Sequence, residues 1–109
     1  MASKRTPSAL SVELLKQRGY IVQKVEYWNP FARRRIDLFG CIDIVAIKHG
    51  EILGVQTTSW ANVSSRLNKI HESKEMLMWV KAGGQIEVHG WKGSAKSPEV
   101  KITMVEAWD

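Results

Sequence analysis

Residues 41–59 read Cys41-Ile42-Asp43-Ile44-Val45-Ala46-Ile47-Lys48-His49-Gly50-Glu51-Ile52-Leu53-Gly54-Val55-Gln56-Thr57-Thr58-Ser59, and this stretch decides the fold. Cys41 to Ile47 is apolar at nearly every position, the pattern of a strand buried on both faces. His49-Gly50 is a turn signal, and Glu51 to Thr58 reads as the returning strand of a hairpin. Asp43 interrupts the most hydrophobic of these runs, where an unpaired carboxylate costs several kcal/mol. The position therefore calls for a cation, a hydrogen-bond network or an open cleft. A symmetric turn at Lys48–Glu51 places Asp43 opposite Gln56, with Thr58 on the same face by the two-residue period of a strand. A one-residue bulge would break that register. Oxygen donors grouped in this way suit a hard cation such as Mg²⁺ and not zinc.

Outward from the hairpin, Thr6-Pro7 starts a first helix, with Leu10, Leu14 and Leu15 at helical spacing and Gly19 as its stop. Tyr20 to Tyr27 reads as a strand ended by Trp28-Asn29-Pro30, and residues 31–40 as a connection. After the hairpin, Asn62 or Ser64 caps a second helix to about Lys81, with Leu67, Ile70, Leu77 and Val80 inside and Gly83-Gly84 as the end. Gln85–Gly90 and Val100–Met104 alternate as two further strands. The expected fold is thus a single α/β domain over residues 1–109. A central mixed sheet is flanked by helices in the order α-β-β-β-α-β-β.

The chain of 109 residues carries a formal charge of +5. Residues 1–35 hold eight basic and two acidic residues, a net of +6, while residues 36–109 hold eight basic and nine acidic, a net of −1. The excess ends in Arg33, Arg34 and Arg35, which read either as a solvated surface or as a phosphate-binding edge. Cys41 is the one cysteine, so neither an internal disulfide framework nor a cysteine-based zinc site is expected. No apolar run approaches a membrane span and Met1–Pro7 lacks the apolar core of a signal peptide, so a soluble, cytoplasmic domain is expected.

Asp37 is a second candidate ligand. It lies about 20 Å from Asp43 along an extended chain, so only a bend at Phe39-Gly40 brings the two together. The alternative is pairing with Arg33–Arg35. Position alone leaves Glu13 undecided, and Glu51 reads as an exposed turn residue. His49, His71 and His89 show no metal-ligand spacing and read as structural or surface groups. Trp79 reads as core filling, while Trp60 suits either packing or base stacking.

Asp43-Ile44-Val45-Ala46 and then Gln56-Thr57-Thr58, with twelve residues between Asp43 and Gln56, resembles the D-x(n)-(E/Q)-x-K core of the PD-(D/E)xK nucleases. The likeness is greatest to archaeal Holliday junction resolvases and small phage VRR-type nucleases. The motif covers Asp37 to Ser59, and the order of elements agrees from about Ser8 to Gly90. The resemblance implies a restriction-endonuclease-like core and a metal-dependent DNA endonuclease. Its substrate would be double-stranded or branched DNA, its cofactor Mg²⁺ or Mn²⁺, and its assembly a homodimer. A phage-encoded protein of this kind would work in the host cytoplasm.

Under that resemblance Asp43 is the main metal ligand, Gln56 stands where the family has Glu, and Val55 or Thr57 lends a backbone carbonyl. Thr58 occupies the place of the family's lysine, and a hydroxyl cannot supply that charge. Lys69 or Arg66 on the second helix, or Lys48, would supply it instead. Arg33, Arg34 and Arg35, with Arg66 and Lys69, would hold the phosphate backbone. The two departures at Gln56 and Thr58 also fit a second expectation: a nucleic-acid-binding or scaffold domain with the same fold and no catalysis.

Overall fold

The computed structural model describes residues 6–94 and 96–108. Lys4 and Arg5, which contribute to the basic excess of the first third, lie outside the described residues. Helix α1 runs Pro7–Gln17, capped by Thr6, whose Oγ1 accepts from Ala9 N–H at 3.1 Å. Five strands form the main sheet in sequence order: β1 (Ile21–Lys24), β4 (Ile44–Lys48), β5 (Glu51–Ser59), β6 (Gln85–Gly93) and β7 (Pro98–Met104). The β5–β6 pair is parallel and the others antiparallel, so the sheet is mixed as expected.

Leu15 and Tyr20 pack on Ile44, Ala46, Leu53 and Val55 to form one core beneath α1. On the opposite face Val63, Ile70 and Met76 pack on Ile42, Ile86 and Val88. These come from helices α2 (Val63–His71) and α3 (Lys74–Lys81). The domain is therefore three layers, helix on sheet on helices. Gly90 of β6 is where α2 comes closest: an added Cβ would overlap Val63 Cγ2 and lie 3.1 Å from Trp60 Cα.

Three expectations need correction. The strand expected over Tyr20–Tyr27 stops at Lys24. The chain then makes a separate two-stranded ribbon, β2 (Tyr27–Asn29) with β3 (Arg34–Ile36), inside the stretch expected to be a connection. The strand expected from Cys41 starts at Ile44, because Leu38–Ile42 folds into a tight turn. Its burial on both faces also stops short, since Ile47 is 42% exposed. The single helix expected to Lys81 is broken at Glu72–Ser73, where Ser73 Oγ caps α3 by accepting from Met76 N–H at 3.1 Å. The alternation read over Gln85–Gly90 is present in β6, with both of its sides buried. Ile86 and Val88 face α2 and α3, while Glu87 and His89 are buried beneath α1.

Glu87 and His89 anchor α1 through a buried polar chain. Arg18 just past α1 donates through both terminal nitrogens to the Glu87 carboxylate, at 2.9 and 3.0 Å. His89 Nε2 lies 2.9 Å from Glu87 Oε1, and His89 Nδ1 lies 2.8 Å from Ser11 Oγ. Trp91 Nε1–H, a donor only, gives its proton to Ser11 Oγ at 2.9 Å. Burial alone would raise the Glu87 pKa, but the His89 and Arg18 hydrogen bonds and charges outweigh it and hold the group down at about 2.

Candidate metal centre

The β4–β5 register pairs Lys48 with Glu51 and Ile44 with Val55. The pairing stops there. The direct Asp43–Gln56 opposition with Thr58 on the same face, expected from a symmetric turn, therefore needs correction: the Asp43 carboxylate meets Thr57 on the α1 side, and Thr58 faces α2. Asp43 N–H donates to Val55 O at 2.9 Å, one residue out of step with the Ile44–Val55 pair, as at the bulge that breaks such a register. The Asp43 side chain is 4% exposed. Its Oδ2 accepts from Thr57 N–H at 2.7 Å, Thr57 Oγ1 at 3.1 Å and Gln56 Nε2 at 3.3 Å.

The bend that would bring Asp37 to Asp43 is present. Phe39 and Gly40 both have positive φ, 54° and 75°, and Cys41 N–H donates to Leu38 O at 3.2 Å. Two consecutive left-handed residues make this the type I′ reversal that suits a right-twisted ribbon. It folds Asp37 back beside Asp43. A third carboxylate, Glu26, joins them: one oxygen of each of Glu26, Asp37 and Asp43 lies within 4.8 Å of the other two.

Sequence reasoning missed Glu26. It follows Val25, whose N–H donates to Asp43 O at 2.9 Å, so β1 carries it to the site through pairing with β4. The signal available was weak: Glu26 is one of only two acids in a strongly basic first third. Ser8 of α1 was also missed. Its hydroxyl donates to Glu26 Oε1 at 3.0 Å and lies 3.2 Å from Thr57 Oγ1. Pro7, Ser8, Lys24, Glu26, Arg35 and Thr57 line a cleft of about 270 Å³ beside the acidic cluster.

Burial, and then the negative charges of Asp37 and Glu26, push the Asp43 carboxyl up to about 7, against the lowering effect of the Thr57 N–H. A cation among the three oxygens would reverse the sign of that problem. The donor set fits a hard divalent ion such as Mg²⁺ or Mn²⁺, being oxygen throughout. Gln56 Oε1 is buried and has no hydrogen-bond partner among the described residues, although the same amide touches Asp43. Orphaned buried acceptors are rare, and Gln56 as it stands gives Asp43 its nitrogen and not this oxygen.

The remaining expected site residues divide. Thr58 faces α2, and Arg66 Nε approaches its hydroxyl at 3.5 Å. Lys69 is exposed one turn further along α2, so Arg66 is the cation that meets Thr58. Lys48 sits at the far end of β4, about 16 Å along the strand from Asp43, with its Nζ 4.4 Å from the centre of the Tyr20 ring. Glu13 lines a different pocket, with Leu10, Gln17 and Trp91. Trp60 is half-buried and carries Lys92 Nζ at 4.1 Å from its ring centre. Trp79 packs at the core edge, donating to Gln85 O at 2.9 Å. Arg33 and Arg34 stand on the β2–β3 ribbon, and Arg35 Nη1 lies 3.5 Å from Glu26 Oε1.

The chain matches no family model, no curated protein and no solved structure. Among the described residues, no helix is long and apolar enough to cross a membrane.

Proposed function

We propose that the protein is a divalent-metal-dependent phosphodiester hydrolase acting on DNA. The observation that carries this reading is the convergence of Glu26, Asp37 and Asp43, one oxygen of each within 4.8 Å of the other two. The order of elements supports it as well. A helix, an antiparallel run β1–β4–β5, a helical crossover and a parallel β6 agree with the core implied by the PD-(D/E)xK resemblance.

Asp43, Asp37 and Glu26 would hold the ion. When bound, a divalent ion supplies a water of lowered pKa and neutralises charge on a phosphate. Thr57 orients Asp43 by donating from both its N–H and its hydroxyl. Ser8 fixes Glu26 from the α1 side. Arg66 meets Thr58 on the α2 face of β5, away from the Thr57 side that holds Asp43, so the lysine's charge would have to come from Lys24 or Arg35 at the cleft. Arg35 and Lys24 border the cleft and suit a phosphate backbone.

The test incubates the protein with supercoiled plasmid and with a four-way junction, in Mg²⁺, Mn²⁺ or EDTA, beside Asp43→Ala. Cleavage that requires metal and is lost in the variant is expected. Binding without cleavage, equal in both proteins, overturns the hydrolase and leaves a nucleic-acid-binding domain.

A further inference from the structure

The β2–β3 ribbon is absorbed by neither the core nor the candidate metal centre. It pairs Tyr27 with Ile36, Trp28 with Arg35 and Asn29 with Arg34, outside the main sheet. Its tip carries Phe31, which is 98% exposed, and Tyr27 and Trp28 are each 58% exposed. Three aromatic rings in solvent on one short ribbon are a poor arrangement for a free surface. The tip is nevertheless ordered. Asn29 Oδ1 accepts from Phe31 N–H at 2.9 Å and Ala32 N–H at 3.1 Å, and Pro30 fixes the backbone between them. Arg33 closes the turn with a φ of 53°, a left-handed conformation uncommon for a side-chain-bearing residue. The local hydrogen bonds thus hold Phe31 outward in a set position.

Charge identifies the partner. Arg33, Arg34 and Arg35 are all exposed on the same ribbon, and exposed Lys24 precedes it. A planar ring flanked by guanidinium groups matches a base face flanked by phosphates. In an intact duplex the faces of the bases are already stacked on each other. A ring can take a base face only where stacking is interrupted, at a bulge, gap, branch point or single strand. The ribbon also leads straight into the cleft: Arg35 pairs with Glu26, and Asp37 directly follows β3.

We infer that the β2–β3 ribbon is a recognition element for DNA containing an unstacked base, with Phe31 stacking on that base and Arg33 and Arg34 holding the flanking phosphates. This rests on the nucleic-acid part of the reading above and is independent of whether the DNA is cut.

Fluorescence anisotropy in EDTA, where no metal-dependent hydrolysis occurs, tests it with a short duplex and with the same duplex carrying an internal bulge. Wild-type protein prefers the bulged DNA. Phe31→Ala, at a position too exposed to disturb folding, weakens bulge binding about 5- to 100-fold and leaves intact-duplex binding within about twofold. Phe31→Trp retains the preference. Arg34→Gln weakens both DNAs alike and lowers the salt slope by about one. Unchanged bulge affinity in Phe31→Ala, equal loss on both DNAs, or no binding to any DNA overturns the inference. So does Phe31-dependent flotation with phosphatidylserine vesicles in place of DNA binding, which would make the ribbon a membrane contact. Bulge selectivity without cleavage in Mg²⁺ sinks the hydrolase alone, and cleavage without a Phe31 effect sinks the ribbon alone.

Discussion

Replacing Glu87 by Gln should destabilise the protein in a pH-dependent way whose size follows from the α1 anchor. The carboxyl is held at about 2 instead of its ordinary 4.5 by His89 and the bidentate Arg18, despite burial. At about 1.4 kcal/mol per tenfold, that difference corresponds to about 3 kcal/mol favouring the folded state when the group is ionised. Arg18 is one-third exposed, and solvent screening there trims the figure toward about 2 kcal/mol. For a chain of 109 residues, 1 kcal/mol moves the melting temperature by about 4 °C, so a fall of about 8–12 °C is expected near neutral pH. The folded-state pKa is depressed, so this stabilisation is present above about pH 4.5 and is lost as pH falls toward about 2. Urea unfolding of both proteins at a series of pH values is the assay. The gap between them should be full at about pH 6 and shrink steadily below about pH 4.5. A gap that stays constant across this range, or one under about 1 kcal/mol at neutral pH, would refute the reasoning, because a neutral hydrogen bond would then account for it.

Three further outcomes concern the metal centre and the close approach of α2. In EDTA the protein should gain stability on acidification through about pH 7, because the Asp43 carboxyl is raised and its folded state prefers the proton. Mn²⁺ should raise the unfolding midpoint at neutral pH, by about 2.7 kcal/mol at a hundredfold excess over Kd, in wild type and not in Asp43→Asn, as calorimetry would record. Gly90→Ala should cost about 1–3 kcal/mol by denaturant unfolding, since its methyl meets Val63 and the Trp60 backbone.

The parts of the fold legible in the sequence are those fixed by short-range chemistry. Thr6-Pro7 starts α1, and the two-residue turn at His49-Gly50 sets the Lys48–Glu51 to Ile44–Val55 register without reference to anything distant, while the slip at Asp43 left no mark in the residue pattern. The Phe39-Gly40 bend was recognisable as the one route from Asp37 to Asp43. Glu26 was not readable, because its place depends on β1 pairing with β4 across about twenty intervening residues. The ribbon was hidden by strands of three residues each, too short to display alternation. The break at Ser73 was masked because Leu67, Ile70, Leu77 and Val80 continue one apolar stripe across both helices. Glu87 drew no reading and His89 read as structural or surface, because only the position of α1 shows that their side of β6 is buried.

The two halves of the main sheet differ in how far apart their partners lie along the chain. Lys48 meets Glu51 across a two-residue turn, whereas Leu53 meets Gln85 with thirty-one residues between them. Loop closure makes the second pairing entropically harder and slower. Asp37 and Asp43 are joined by the local turn, while Glu87 and His89 arrive with β6 and fasten α1 in the same late step. Ser8 comes with α1, so the carboxylate pair is assembled by the fast, local part of folding and the wall beside it by the slow, long-range part. Variants at Phe39 or Gly40 therefore belong to the folding rate, and variants at Glu87 or Arg18 to the lifetime of the folded state.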